Sequence, residues 1–364
     1  MSLLKDVIER LDSKEEDVRL STIEDIVENN LVEAVPYLLK RLTREDSLIV
    51  KETIIFALKT LDCSGVYNQL FLLFRSPDAY LRNSAIDIFA SSGDKAVKFL
   101  MSRYNDEDNK EVKKLILDTL YRIGTHNAIL GIRLALRDQA INVKITAVEY
   151  LGRIRDYDSV PELLNIVRES THPMLTSAVV DALINIDDKE ALESILNILM
   201  PENNPDLIQS IYIPQILKIL GKLGRINLIV AILDRLEDIE LYAEEIINTI
   251  DELSNDLLEE ILSYSKVKDI LLDILRNDSI DEVIRYKAGE YFLRIADGTL
   301  ADTLLDIGVS LLTASDSLKV IGIHMIGKSK HEEAKKVLLE MVEYLDDEVI
   351  KKECINVLNL LLRE

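Results

Sequence analysis

The chain has 364 residues, a formal net charge of −22, 48 % apolar and 5 % aromatic side chains, no Trp, 12 Gly and 7 Pro. So few turn formers and rings exclude a sheet-rich fold and leave helix as the main element. The acidic surplus opposes nucleic acid and anionic membranes over most of the molecule, and no charge-free window of about 18 residues offers a membrane span.

The first helix-length stretch, MSLLKDVIERLDSKEEDV, is charged throughout and lacks the apolar centre of a signal peptide. Cys63 and Cys354 lie 291 positions apart, which is neither a disulfide framework nor a metal-ligand spacing. A reducing, cytoplasmic location is therefore expected, with no cofactor and no metal. From there on, apolar runs of helical period begin at Val35, Val66, Val97, Ile129, Val160 and Leu192, spaced by 31 or 32 residues. Pro36 and Pro161 stand second in their runs, where a helix tolerates a missing N–H.

About fifteen residues into each unit an acidic loop precedes an apolar landmark residue, usually followed by Arg or Lys. The basic members are Arg19, Lys51, Arg82, Lys113, Lys144, Arg285, Lys319 and Lys351. Asp46, Asp78 and Asp108 precede three landmarks and read as N-caps of a second helix. Four residues beyond the landmark stands a small residue in many units (Ala85, Ala147, Ala288, Gly322, Cys354), which lets helices approach closely. Three stretches follow: regular repeats over 1–190, degraded repeats over 191–269, and regular repeats with a terminal cap over 270–364. In the middle stretch the basic residue is missing, and Pro201, Pro205 and Pro214 predict a change of curvature, with Pro214 starting or kinking a helix. Charge is uneven too: residues 151–350 carry 19 basic and 39 acidic side chains, whereas residues 51–150 carry 14 and 12.

The segments DAYLRNSAIDIFASSGDKAV and INVKITAVEYLGRIRDYDSV resemble HEAT repeats, in particular the kind first named from phycobilin lyases. The resemblance extends over nearly the whole chain and implies an all-α, right-handed α-solenoid of about eleven helical hairpins. It also implies that the second helices line a concave surface, and that the basic residues after the landmarks form a structural ladder bonded to acidic or carbonyl groups of the adjacent repeat.

On a wheel of 100° per residue the position six after the landmark points away from the core. Its occupants include Glu24, Phe56, Asp87, Asp118, Glu149, Val180 and Glu290, with His324 and Asn356 in the last repeats. This row is the candidate binding surface: a mostly acidic stripe with Phe56 and Val180 as apolar contacts. Asp118, Glu149 and Glu290 each stand four residues before an Arg, so helix-surface pairs with Arg122, Arg153 and Arg294 compete with that reading.

Catalytic chemistry finds little footing. Only one of four histidines, His331, precedes a Glu, against the several His-Glu pairs of di-iron HEAT hydroxylases. There is no P-loop, GxGxxG, GxSxG or HExxH. The expected function is a non-enzymatic scaffold or adaptor that binds a protein or peptide, most naturally a basic one, with the oligomeric state left open. The alternative from the resemblance is a bilin lyase or a cofactor chaperone.

Overall fold

The structure, a computed structural model, describes residues 2–296 and 300–363. It divides into two compact units, Met1–Asp188 and Lys189–Glu364. The first is six helical hairpins in chain order: α1 (Ser2–Leu11) with α2 (Glu16–Glu28), α3 (Val35–Leu42) with α4 (Leu48–Thr60), α5 (Tyr67–Leu72) with α6 (Ala79–Ser91), α7 (Asp94–Asn105) with α8 (Lys110–Ile123), α9 (His126–Leu134) with α10 (Ile141–Ile154), and α11 (Val160–Glu169) with α12 (Pro173–Ile186). The second holds five hairpins: α13 (Lys189–Leu199) with α14 (Ile213–Leu223), α15 (Ile226–Leu233) with α16 (Ile239–Asp251), then, after a short extra helix α17 (Asn255–Leu262), α18 (Ser265–Arg276) with α19 (Glu282–Ile295), α20 (Ala301–Leu311) with α21 (Asp316–Ser329), and α22 (Ala334–Tyr344) with α23 (Glu348–Arg363). Residues 191–269 thus belong to the same compact unit as 270–364.

Within each unit every second helix packs on the second helix of its neighbour, α2 on α4 through α10 on α12, and α14 on α16, α19, α21 and α23 in turn. The landmark residues explain this layer. Val50, Val112 and Val143 are buried, as are the small residues Ala85, Ala147, Ala288, Gly322 and Cys354 four positions on. Burying each of these three valines stabilises the stack by about 1.5–3 kcal/mol. At Gly152 the helices come so close that a Cβ would lie 2.7 Å from the Ala182 Cα.

Of the expected N-caps, Asp78 accepts from the Tyr80 amide. In the other two repeats the cap is the next residue: Ser47 accepts from the Val50 amide, and Asn109 from those of Glu111 and Val112. Their extended backbone puts the side-chain oxygen over the first turn, whereas Asp46 and Asp108 lie one residue too early. Pro214 occupies the first turn of α14, so it starts that helix and does not kink it. Pro201 and Pro205 open two 3₁₀ turns in the long connection from α13 to α14.

Candidate functional site

The basic residues after the landmarks do not behave alike, and except at Arg82 the difference tracks the residue five before the next landmark, here called the node. Where the node is acidic, it caps the amide two residues on: Glu45 accepts from Ser47, Glu107 from Asn109, and Asp138 from Ala140. Arg19, 7 % exposed, donates Nε and Nη2 to Glu45 of the next repeat at 2.9 and 3.1 Å, and Nη1 to the carbonyls of Ser13 and Lys14 at 3.0 Å. Arg41 donates Nε to the same carboxylate at 2.7 Å. Burial alone would raise the Glu45 pKa, but the Ser47 amide, Arg41 and Arg19 outweigh it and lower it to about 2. Lys113 reaches Asp138 of the next repeat at 2.7 Å, beside the Tyr104 hydroxyl, which donates to the same oxygen at 2.7 Å. Burial again works against the Asp138 charge, and Lys113, the Ala140 amide and Tyr104 overcome it, holding its pKa below the usual carboxylate value.

The other basic residues depart from the ladder. For Lys51 the next node is a serine, Ser76, and its Nζ lies 5.6 Å from the centre of the Tyr80 ring. Arg82 bonds the carbonyls of Ser76 and Pro77 in its own hairpin, while the node Glu107 pairs with Arg75 at 2.6 Å. For Lys144 the next node is Ser170, and Lys144 has no ion pair or hydrogen bond among the described residues. Arg285 bonds the Leu275 carbonyl and Asp278 of its own hairpin. Lys319 pairs with Asp316 one turn away, and Lys351 has no cross-repeat partner among the described residues.

The outward row is present on the second-helix layer, with one correction. Val180 is 0 % exposed and belongs to the core. The landmark of that repeat is the buried Leu175, not Met174, which is 67 % exposed. The loop before α12 is one residue longer, which turns the helix by one position and puts Asp181 on the outside. In the first unit the row therefore reads Glu24, Phe56, Asp87, Asp118, Glu149 and Asp181. Phe56 is 64 % exposed, and Ile49, two turns earlier on the same face of α4, is 59 % exposed. Glu290 occupies the same position in the second unit, where Tyr286 donates to it at 3.4 Å.

The anticipated pairs do not form: Arg122 and Asp118 bond neighbouring helices, and Arg153 and Arg294 lie over rings of their own helices. Arg122 pairs with Asp87 of the preceding repeat, and Tyr150 donates to Asp118 of the preceding repeat. Tyr150 also stacks on Tyr121 at 4.3 Å. Arg153 and Arg294 lie over Tyr150 and Tyr291, 5.7 and 5.8 Å from the ring centres. Planar guanidinium groups find a ring face within reach, which competes with the weak exposed pair four residues away. Glu24 and Glu149 stay exposed with no ion pair or hydrogen bond among the described residues. The sequence reading missed Ile49, because only Phe56 stands at the repeated position that defines the row; the seven-residue spacing between them is the signal that would have found it.

Among the described residues no group of three His, Cys, Asp or Glu side chains could hold a metal ion, and no helix is long and apolar enough to cross a membrane. Both cysteines are buried, which pushes the thiols up to about 12 at Cys63 and about 11 at Cys354, the nearby Asp62 adding to the former.

A HEAT-repeat family profile matches residues 129–212, the stretch from α9 to the start of α14. Residues 129–212 match HEAT repeats, and the chain has the fold of an α-solenoid. Its fold is similar to the karyopherin Kap121p in several solved complexes. The TM-score is 0.59 at 14 % identity for Kap121p bound to Pho4p. It is 0.58 at 14 % for Kap121p bound to the extreme C-terminus of the protein phosphatase Cdc14p, and 0.58 at 15 % for Kap121p bound to the SUMO protease Ulp1p. Each similarity covers 98 % of this solenoid and 45 % of the karyopherin, so the chain spans less than half of that protein. At this identity the likeness concerns the fold alone. No curated protein matches the solenoid by sequence.

Proposed function

We propose that this HEAT-repeat solenoid is a non-enzymatic adaptor whose first unit binds a basic protein segment across the second-helix layer. The observation that carries the reading is the outward face of α4, where Ile49 and Phe56 stand about 10.5 Å apart along the helix. The adjacent helices α2 and α6 bring Glu24 and Asp87 to the same face. Neighbouring helices lie about 8–10 Å apart, so these carboxylates flank the apolar pair within roughly one Debye length at physiological salt. An apolar anchor with Lys or Arg on both sides complements that arrangement: the anchor supplies affinity, the charges on-rate and selectivity. Karyopherin Kap121p, which shares the fold, binds protein chains in the complexes named above.

The test is a fluorescence anisotropy titration of the full chain with two synthetic peptides of equal length. One carries two leucines flanked by arginines, the other the same leucines flanked by glutamates. The arginine peptide should bind, more weakly as salt rises, and Phe56→Asp should weaken it by about tenfold or more, the loss expected of a central anchor. Equal binding of both peptides, or binding indifferent to Phe56, would contradict the proposal.

A further inference from the structure

At Arg285 the ladder opens into a cleft. In the second unit Arg285 occupies the ladder position, and the node of the next repeat is Thr313, not an acid. A cleft of about 710 Å³ lies between the hairpins α18–α19 and α20–α21. Its walls include Leu275, Ile280, Leu311 and Leu318, with Arg285 and Ser315 among its polar groups. The Ser315 hydroxyl is buried without a hydrogen-bond partner, although Ser315 stands at the N-cap of α21, where a serine normally caps the helix. Arg285, 9 % exposed, uses Nε on the Leu275 carbonyl at 3.1 Å and Nη2 on Asp278 at 2.8 Å. Its Nη1 has no partner among the described residues.

The first ladder contact of the chain shows what is missing. There Arg19 meets a carboxylate from the node of the next repeat, and the amide of Ser47, which is to its landmark what Ser315 is to Leu318, donates to that carboxylate. The first unit has two serine nodes: at Ser76 the residue three before the landmark, Asp78, caps its helix, and at Ser170 an unsatisfied atom recurs. Where the node is Ser170, the Nδ1 of His172, again three before the landmark, is buried without a partner. We infer that the cleft around Arg285 and Ser315 is a carboxylate-binding site, in which an external carboxylate takes the place that Glu45 fills in the first repeat.

The charges around the cleft permit this. Its acids, Asp278, Glu282 and Asp306, are exposed and screened by water, whereas the guanidinium is buried. Asp278, with a side chain 90 % exposed, already places one carboxylate against Arg285. Only the Asp278 side of this pair faces water, where it exchanges freely with solvent, so a ligand carboxylate that also satisfies Ser315 can displace it. The volume exceeds that of a single acidic side chain. A small organic acid or a glutamate of a bound segment would present the same group.

Methyl NMR of the full chain, titrated with glutarate and separately with acetyl-Gly-Glu-Gly-amide against chloride at equal ionic strength, decides the matter. Saturable shifts at Ile280, Leu311 and Leu318 are expected with at least one probe, and the tighter probe assigns the source, free acid or peptide side chain. Thr313→Glu restores an internal node and should abolish the shifts while leaving helicity by circular dichroism unchanged. Ser315→Ala should weaken binding several-fold with the fold intact. Shifts that chloride reproduces, that neither probe elicits, or that persist unchanged in both variants would overturn the assignment.

Discussion

Replacing Glu45 by Ala removes the acceptor shared by Arg19, Arg41 and the amides of Asp46 and Ser47. The Arg19 guanidinium stays buried, with only the Ser13 and Lys14 carbonyls left to it. Breaking a buried ion pair from one side costs about 3–5 kcal/mol, mostly through the stranded charge. In a solenoid each hairpin depends chiefly on its neighbours. Hydrogen exchange should therefore accelerate first in α1 to α4, while α8 to α12 stay protected. The same site predicts an acid response. Its folded pKa of about 2 lies below the ordinary value of 4.5, so its stabilisation is complete above pH 4.5 and is lost as pH falls toward 2. The shift corresponds to about 3 kcal/mol at about 1.4 kcal/mol per pKa unit. Glu45→Gln should abolish that acid-dependent loss in α1 to α4. Unchanged protection in Glu45→Ala, or the same acid profile with Gln, would refute the reasoning.

Three more outcomes follow from the packing. Lys113→Ala should lower unfolding stability in urea by about 1–3 kcal/mol because it strands the buried Asp138, whereas Lys144→Ala should stay within about 0.5 kcal/mol. Gly152→Ala drives a Cβ into the Ala182 backbone and should cost about 1–3 kcal/mol, read as a drop in Tm. Neither Cys63 nor Cys354 should react with a thiol reagent in the native chain at pH 8, and both should react in denaturant, since burial keeps them protonated.

The hairpins and their order were legible because each helix repeats the same apolar spacing, and Leu, Ile and Val at that spacing can be buried in one way only. The buried state of Ala85, Ala147 and Cys354 follows from the same wheel. The ladder was legible only in half. A basic residue after a landmark marks a position, but its partner depends on whether a carboxylate stands at the next node, as at Glu45 and Asp138, or a hydroxyl, as at Ser76, Ser170 and Thr313, and at Glu107 another arginine, Arg75, holds the carboxylate instead. The exchange of Val180 for Asp181 shows why wheels fail at loops: one extra residue before α12 turns every later side chain by about 100°. Arg122 bonding Asp87 across two helices, and not Asp118 on its own, was hidden for another reason. The sequence states spacing along a helix, and only packing states what lies beside it.

The central claim, that the first unit binds a basic segment on its second-helix layer, is tested most directly by hydrogen exchange of the full chain with and without the arginine-flanked leucine peptide. The account predicts slower exchange concentrated in α2, α4 and α6, an effect that weakens when Glu24, Asp87 and Glu149 are changed together to Gln, Asn and Gln. Protection confined to the first helices, or to the second unit, or indifferent to those three substitutions, would contradict it.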